Sequence, residues 1–436
     1  MNCKVCKFGG TSMASAITVN QVYNIIESDK SRKYIVVSAP GKRDKSDIKV
    51  TDMLYKAFNE AQETGRCDNA FAKIRERFQA LVDDLELDIN INDMLDSIEK
   101  QINTSTTPDY AASRGEYLSA RIFAIKTGYK FIDAQDLIKF DSRGVLDSEI
   151  TNDNVKRVLE GVDRAVIPGF YGIDVDGNIK TFSRGGSDVT GAIIARGVGA
   201  DLYENWTDVN GFMKADPRIV ENPKIIDELT YKELRELSYM GANVLHPESI
   251  FPVRQAGIPI NIKNTFNPSH KGTMIVEDYN PDDSIITGIA GKKDFSVLLL
   301  EKSMMNSEIG FARRVLSVLE HYGVSFEHVP SGIDTMSFVI SDSELEGKQE
   351  KILDGIRRSV SVDKITVYND MALIATVGHG MTKRKGTSAT LFGALASAGV
   401  NIRMIDQGSS ELNIIVGVDN DDYEKAIDAI YHGFEK

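Results

Sequence analysis

The sequence predicts an α/β protein in which a largely parallel sheet, sandwiched by helices, is followed by two related smaller modules. Over about the first 280 residues, short strand-like segments alternate with helical ones. These strand-like segments are apolar throughout, which is typical of parallel strands covered on both faces. An internal repeat after residue 280 predicts the modules.

The composition limits the class of protein. A chain of 436 residues is long enough for about three domains. Its net charge of -13 leaves no broad cationic surface, so we expect neither nucleic acid nor a membrane as partner. The sequence shows no apolar run of bilayer length and no signal-peptide pattern. Three cysteines (Cys3, Cys6 and Cys67) are too few for a disulfide framework, so we expect a cytoplasmic protein.

The first predicted domain covers residues 1–280. Its clearest strands are KYIVVSAP (33–40), RAVIPGFYG (164–172) and GIPINIKNT (257–265). Residues 53–105 instead show a long helical periodicity, which predicts a helical excursion from the sheet. The segment 267–283 is rich in proline and turn formers, so a domain boundary is expected near residue 280.

The repeat begins with a strand at 295–301 and an amphipathic helix whose apolar face carries Phe311, Val315, Leu319 and Tyr322. Strands at 324–330 and around 335–341 follow, and a helix and a strand at 362–368 complete the first copy. The second copy starts with the strand at 372–378 and ends with a helix. Gly323 and Gly332 recur 76 residues later as Gly399 and Gly408, which supports two related modules.

Each module resembles the ACT domain, a ferredoxin-like βαββαβ fold that commonly binds an amino acid between paired copies. The second copy lacks a closing strand, which would leave a sheet edge unpaired. The strand-like segment 285–291 is expected to fill that edge. The first ACT domain would then be 294–370, inserted into a second one made of 281–293 and 371–436.

The stretch KFGGTS (7–12) is the first candidate for a phosphate site. Gly9 and Gly10 allow backbone N–H groups to approach an anion, and Thr11 and Ser12 add hydroxyl groups at a helix start. Lys7 adds a positive charge. The sequence contains no P-loop, no GxGxxG after a strand and no HExxH, so phosphate chemistry needs another architecture. The alternative is an ordinary strand-to-helix turn with a surface lysine.

Two further segments add groups suited to an amino acid. In FSRGGSD (182–188) two glycines again lead into a helix, and Arg184 is suited to bidentate capture of a carboxylate. Asp188 lies in the first turn of that helix. The alternative is that it serves only as a carboxylate at the helix N-terminus. SRGE (113–116) opens another helix and offers Glu116 to an ammonium group. Sites for carboxylate, amine and phosphate together describe an amino-acid kinase.

The order of the motifs resembles the aspartate kinase family over essentially the whole chain. That family acts by ATP-dependent phosphorylation of the β-carboxylate of L-aspartate to 4-phospho-L-aspartate, which leads to lysine, threonine and methionine. The resemblance therefore implies an amino-acid-kinase fold followed by tandem ACT domains that mediate feedback control. The motifs, in order, are KFGGTS, VVSAP (36–40), SRGE, GFYG (169–172), SRGGSD, WTDVNGFMKADPR (206–218) and GANVLHP (241–247).

The resemblance also implies a role for individual residues. Lys7 would stabilise the transferred phosphoryl group, with Asp188 orienting the site. The residues implied in aspartate binding are Ser38, Thr51, Glu116, Arg184 and Ser187. Those implied on the nucleotide side are Lys7, Gly9, Gly10, Thr11, Thr207, Asp208, Met213, Arg218 and Asn243. Mg²⁺ would arrive with ATP, held mainly by phosphate oxygens rather than by protein ligands. Asn243 and Met213 depart from the lysine and the aromatic residue that relatives commonly carry.

Feedback control implies an effector site in the first module. Its candidates are Gly310, Phe311, Ala312 and Glu327, with lysine favoured over threonine as the effector. Phe311 is equally suited to core packing, and Glu327 to a solvated strand. Pairing of ACT domains implies a homodimer or higher homo-oligomer. Two rival functions stay open: an amino-acid sensor without catalysis, and a kinase for another acidic amino acid.

Overall fold

The computed structural model describes residues 3–183, 185–242, 245, 247–279 and 284–435. The chain forms two compact units. The first comprises 1–212, 225–231 and 243–279, and the second comprises 213–224, 232–242 and 280–436. Two segments that precede residue 280, 213–224 and 232–242, thus belong to the second unit, although the sequence-based boundary near 280 assigns them to the first domain. Within the described ranges, no helix is both long and apolar enough to cross a lipid bilayer.

The first unit is built on an eight-stranded sheet with the order β3-β4-β2-β1-β7-β9-β10-β8. All neighbouring strands are parallel except β9 and β10. Its strands are β1 (Lys4–Phe8), β2 (Arg32–Val37), β3 (Lys130–Phe131), β4 (Ala165–Pro168), β7 (Leu202–Thr207), β8 (Glu228–Thr230), β9 (Ile260–Asn264) and β10 (Thr273–Val276), beside a separate hairpin of β5 (Tyr171–Ile173) and β6 (Ile179–Thr181).

Helices pack around this sheet, and the predicted helical excursion is present as α2 to α4. The helices of this unit are α1 (Ala16–Glu27), α2 (Val50–Thr64), α3 (Asp68–Asp84), α4 (Asn92–Ile102), α5 (Pro108–Thr127), α6 (Ala134–Leu137), α7 (Ser148–Leu159), α8 (Gly186–Val198) and α10 (Phe251–Gln255). One apolar core joins the excursion to the sheet: Phe71, Ile74 and Phe78 of α3 are fully buried in the same cluster as Phe8 of β1. The periodicity that predicted these helices therefore marks the face that they bury.

The second unit contains a five-stranded antiparallel sheet with the order β12-β11-β13-β15-β14. The strands are β11 (Gly288–Glu301), β12 (Thr335–Ser341), β13 (Lys364–Val377), β14 (Met404–Asp406) and β15 (Asn413–Asp419). The helices are α9 (Tyr231–Tyr239), whose first residue still belongs to the first unit, and α11 (Phe311–His321), α12 (Asp342–Leu345), α13 (Gln349–Ser359), α14 (Thr387–Ser397) and α15 (Tyr423–Phe434).

Two apolar cores lie against this sheet, in keeping with the repeat seen in the sequence. One core packs α11 and α13, through residues such as Val315 and Ile352. The other packs α14 and α15, through residues such as Leu391 and Ile427. Residues 288–292 of β11 pair with 373–377 of β13, beside the second core, and 295–301 pair with the earlier part of β13. Both 14-residue strands therefore run through both modules.

Two strands expected from the sequence are shorter than predicted. In 324–330 the pairing with β12 is an isolated bridge between His328 and Val339, with backbone hydrogen bonds from Glu327 N–H to the Val339 carbonyl and from Ser337 N–H to the Pro330 carbonyl. In 400–406 only Met404–Asp406 pair with β15. The first segment lies beside β12 and the second contains β14, and these are the two outer strands of the sheet.

Candidate active site

The candidate site lies at the carboxyl ends of the central parallel strands. KFGGTS leaves β1 between the loops that follow β2 and β7. The Gly9 N–H donates to the Trp206 carbonyl of β7 at 3.1 Å, and the Ser38 N–H donates to the Phe8 carbonyl at 3.1 Å. The Gly9 N–H is therefore engaged within the fold, and the predicted place of Gly9 on the nucleotide side stays a prediction. A Cβ at position 9 would lie 3.6 Å from the Lys7 Nζ, in van der Waals contact with it.

The loops after β1 and β2 come into direct backbone contact at Gly10 and Gly41. The Gly41 N–H donates to the Gly10 carbonyl at 2.8 Å. A Cβ on Gly41 would lie 2.7 Å from the Gly10 carbonyl carbon, and a Cβ on Gly10 would lie 3.0 Å from the Ala39 carbonyl oxygen. A side chain at position 41 would force the backbone of the neighbouring loop to move, whereas one at position 10 would make a tight contact, so Gly41 in particular is required for the two loops to meet.

Lys7 and Asp188 join the two glycine-rich loops directly. The Lys7 Nζ lies 2.7 Å from Asp188 Oδ1, and both side chains are largely buried. Asp188 belongs to the first turn of α8, where the helix dipole also favours a carboxylate. Asn205 of β7 donates from Nδ2 to the same Oδ1 at 2.8 Å. Residues that are far apart in the sequence thus share one polar cluster.

Glu116 lies on α5, beneath the loop that follows β2. Gly115 permits this approach, since a Cβ there would lie 2.7 Å from the Ala39 Cβ. Burial raises the pKa of Glu116 to about 8, although the Ala39 N–H faces the carboxyl group and lowers the pKa. Its Oε2 is buried without a hydrogen-bond partner among the described residues. A cationic ligand group would satisfy that oxygen and favour the ionised carboxylate.

Three hydroxyl residues predicted for aspartate binding lie on elements of the same sheet edge. Ser38 directly follows β2, Thr51 is the second residue of α2, and Ser187 is the second residue of α8. Ser38 and Thr51 are half-buried, whereas Ser187 is buried. Gly169, after β4, packs on Ser187, and a Cβ there would lie 2.6 Å from the Ser187 Oγ. The loop after β4 thus fixes the start of α8.

Three residues predicted for the nucleotide side form a small polar group at the end of β7. The Thr207 hydroxyl donates to Asp208 Oδ1 at 3.2 Å, and the Thr11 hydroxyl lies 3.5 Å from Asp208 Oδ2. Thr11 and Asp208 are exposed. Across the described part of the chain, His, Cys, Asp and Glu side chains form no group of three or more placed to hold a metal ion.

Of the remaining predicted residues of the catalytic site, two belong to the second unit and two lie outside the described residues. Met213 and Arg218 lie in the 213–224 segment of the second unit. The Arg218 guanidinium is 87% exposed and pairs with Asp216. Arg184 and Asn243 lie outside the described residues.

The predicted effector residues lie in the second unit, three of them at the start of α11 and Glu327 in the segment that follows the helix. Gly310 precedes the helix with a φ of 81°, a conformation suited to glycine, and Ala312 is half-buried. Phe311 is only 3% exposed and belongs to the core of the first module. Glu327 is half-buried and accepts a hydrogen bond from the Tyr239 phenol; burial and then this hydrogen bond raise the pKa of Tyr239. Phe311 therefore has a packing role whether or not it contacts an effector.

Sequence reasoning missed Asn205 and Gly41. The signal for Asn205 was an amide side chain within the strand-like segment DLYENWT (201–207), and the pairing of β1 with β7 places it on the same face of the sheet as Lys7. The signal for Gly41 was a glycine three residues after Ser38, in a loop that follows a parallel strand. In the sequence Asn205 resembles an ordinary strand residue and Gly41 an ordinary turn residue. Their contacts could therefore be identified only from the structure.

The arrangement offers an ammonium group to an anion and a buried carboxyl oxygen to an amine. It supplies a fixed ammonium, an oriented carboxylate and a buried acceptor, but among the described residues no histidine is placed there as a general base. Phosphoryl transfer to a carboxylate needs none, because a carboxylate is ionised at neutral pH.

Comparisons with known proteins agree with this chemistry. The model of the amino acid kinase family matches residues 2–264, and an ACT domain model matches 374–434. Aspartokinase 3 of Bacillus subtilis is 39% identical over 99% of this chain and 98% of its own length. Chloroplastic aspartokinase 1 of Arabidopsis thaliana is 30% identical over 99% and 80%. The crystal structure of Clostridium acetobutylicum aspartate kinase is 52% identical, covers 99% of this chain and 100% of its own, and superposes with a TM-score of 0.93. This chain therefore belongs to the aspartokinases of the amino acid kinase family.

Proposed function

We propose that this chain phosphorylates the β-carboxylate of L-aspartate with ATP, using Lys7 to stabilise the migrating phosphoryl group. The observation that carries the proposal is the 2.7 Å pair between Lys7 and Asp188, which unites the two glycine-rich loops. An ammonium held there offsets negative charge as it develops on the transferred group. Asp188 fixes the direction of that ammonium. The product is 4-phospho-L-aspartate, and ADP is released.

The aspartate site is supported by Glu116. Its buried, unpartnered Oε2 is suited to the ammonium group of an α-amino acid. Ser38, Thr51 and Ser187 add hydroxyl donors at the same sheet edge, and Arg184 is assigned to the α-carboxylate on the sequence pattern alone. An amine at Glu116 and a carboxylate at Arg184 would leave the β-carboxylate of the substrate as the group that meets Lys7.

On the nucleotide side we assign Gly10 and Thr11 to the phosphates, together with Thr207 and Asp208. Gly9, Met213, Arg218 and Asn243 remain predictions. Mg²⁺ enters with ATP and is held mainly by phosphate oxygens, because this cation usually keeps several of its bound water molecules. When bound, it neutralises charge on the phosphates. The one carboxylate assigned to the nucleotide side, Asp208, is exposed and accepts a hydrogen bond from the Thr207 hydroxyl, in keeping with a magnesium ion held mainly by phosphate oxygens.

The second unit is assigned to feedback control by an amino acid. We divide it into an ACT domain at 294–370, inserted into one formed by 281–293 and 371–436. Lysine is the proposed effector, with Gly310, Phe311, Ala312 and Glu327 as its site and threonine as the alternative. We further propose a homo-oligomer formed through these domains and a cytoplasmic enzyme, in keeping with the free thiols of Cys6 and Cys67.

Trapping the acyl phosphate with hydroxylamine tests the function. Aspartate and ATP should yield aspartyl hydroxamate, and added lysine should reduce the yield. No hydroxamate from aspartate or glutamate would favour a sensor without catalysis, and a faster reaction with glutamate would favour a kinase for another acidic amino acid. Threonine in place of lysine, and both together, identify the effector.

A further inference from the structure

Asn205 contacts the ion pair at the centre of the site and has no role in the assignments above. It pairs with Lys7 across β1 and β7, so both side chains leave the sheet on the same face, towards the first turn of α8. Its side chain is only 3% exposed. Its Nδ2 lies 2.8 Å from Asp188 Oδ1, the oxygen that Lys7 Nζ meets at 2.7 Å.

The chemistry of an amide suits this place. A carboxylate that faced Lys7 alone would be free to turn about its own bonds, and the ammonium would turn with it. A second donor on the same oxygen fixes the plane of the carboxylate. Because the amide is neutral, it does so without adding a cation that would compete with Lys7 for the negative charge.

We propose that Asn205 is a positioning residue for phosphoryl transfer, which holds Asp188 so that Lys7 stays directed at the reacting group. The inference rests on the proposed role of Lys7. Among the described residues, the titratable groups that face this cluster are Lys7 on β1, Asp188 on α8 and Tyr203 on β7. The Tyr203 hydroxyl donates to the Asp188 carbonyl at 3.1 Å, and burial raises the pKa of Tyr203 well above its usual range.

Replacing Asn205 with leucine removes the donor at similar volume. We expect kcat to fall about 10- to 100-fold, since small misplacements of a catalytic group cost rates of this order. The KM values for aspartate and ATP should change less than about twofold, because the substrate-binding side chains are untouched. An N205L enzyme with wild-type kcat would overturn the inference.

Replacing Asn205 with aspartate gives a readout that a merely structural role would not move. At high pH two ionised carboxylates would repel one another, whereas a protonated one donates to its neighbour as the amide does. The kcat of N205D relative to wild type should therefore rise as the pH falls from 8 to 6. A ratio that is constant, or that falls with falling pH, would refute the positioning role even if N205L misfolds.

Asn261 provides a matched control on β9. It pairs with Glu204, so N261D also places a new carboxylate beside an existing one, but on the face of the sheet opposite to Lys7. Its kcat relative to wild type should not rise at low pH, and a rise equal to that of N205D would assign the effect to the fold. Failure of the wild-type chain to form any hydroxamate would instead reject the proposed function, so the two failures are distinguishable.

Discussion

Without aspartate, the free energy of unfolding of the Glu116→Gln variant should rise relative to that of the wild type as the pH rises. Burial raises the pKa of this carboxyl group from its ordinary 4.5 to about 8. The folded chain thus holds a proton that the unfolded chain loses, so the stability contributed by Glu116 is complete below pH 4.5 and is lost as the pH rises through 8. At about 1.36 kcal/mol per pKa unit, linkage gives a loss of about 2.5 kcal/mol between pH 5 and pH 7.

The assay is urea unfolding of wild type and E116Q at both pH values, without aspartate. The free energy of unfolding of E116Q relative to wild type should rise by about 2.5 kcal/mol from pH 5 to pH 7. Other titrating groups are common to both proteins and cancel. Glu63, exposed on α2, is the matched control, and E63Q should show no such change. Parallel pH profiles for E116Q and wild type would refute a buried, proton-holding Glu116.

Three further changes test other parts of the molecule. Lys7→Ala should lower kcat about 10²- to 10³-fold in steady-state kinetics, by analogy with removal of an oxyanion donor, and an unchanged kcat would exclude Lys7 from the mechanism. Gly41→Ala should lower stability by about 1–3 kcal/mol in thermal unfolding, because its Cβ would meet the Gly10 backbone. Gly393→Ala, which meets nothing within 4 Å, should not. Phe311→Ala should destabilise the second unit by about 3–5 kcal/mol in calorimetry, and unchanged stability with lost effector inhibition would show that Phe311 serves the effector rather than the core.

The fold was predictable where local pattern and burial coincide. The apolar parallel strands, the helices of the excursion and the face of α11 all follow from periodicities that burial imposes. The short ladders at 324–330 and 400–406 were not predictable from those periodicities, because pairing at a sheet edge depends on neighbours in space. The positions of 213–224 and 232–242 in the second unit likewise depend on long-range packing.

The candidate site was predictable as residue types rather than as contacts. Glycines before a helix, a lysine and an isolated glutamate indicated phosphate and amine chemistry. The engagement of the Gly9 N–H with Trp206 and the donation from Asn205 to Asp188 arise from strand register, which no local motif records. Register is set by the whole sheet, so these contacts required the structure.

The two long strands β11 and β13 have a consequence for how the regulatory half can be cut or recombined. Each contributes one half of its length to each module, so the modules share a single backbone ladder. Expressing one module alone would leave backbone N–H and C=O groups unpaired along part of each strand, which would promote aggregation with other chains. We therefore expect swaps of this region between relatives to succeed when the pair is exchanged whole, and to yield insoluble protein when the cut falls within 288–377.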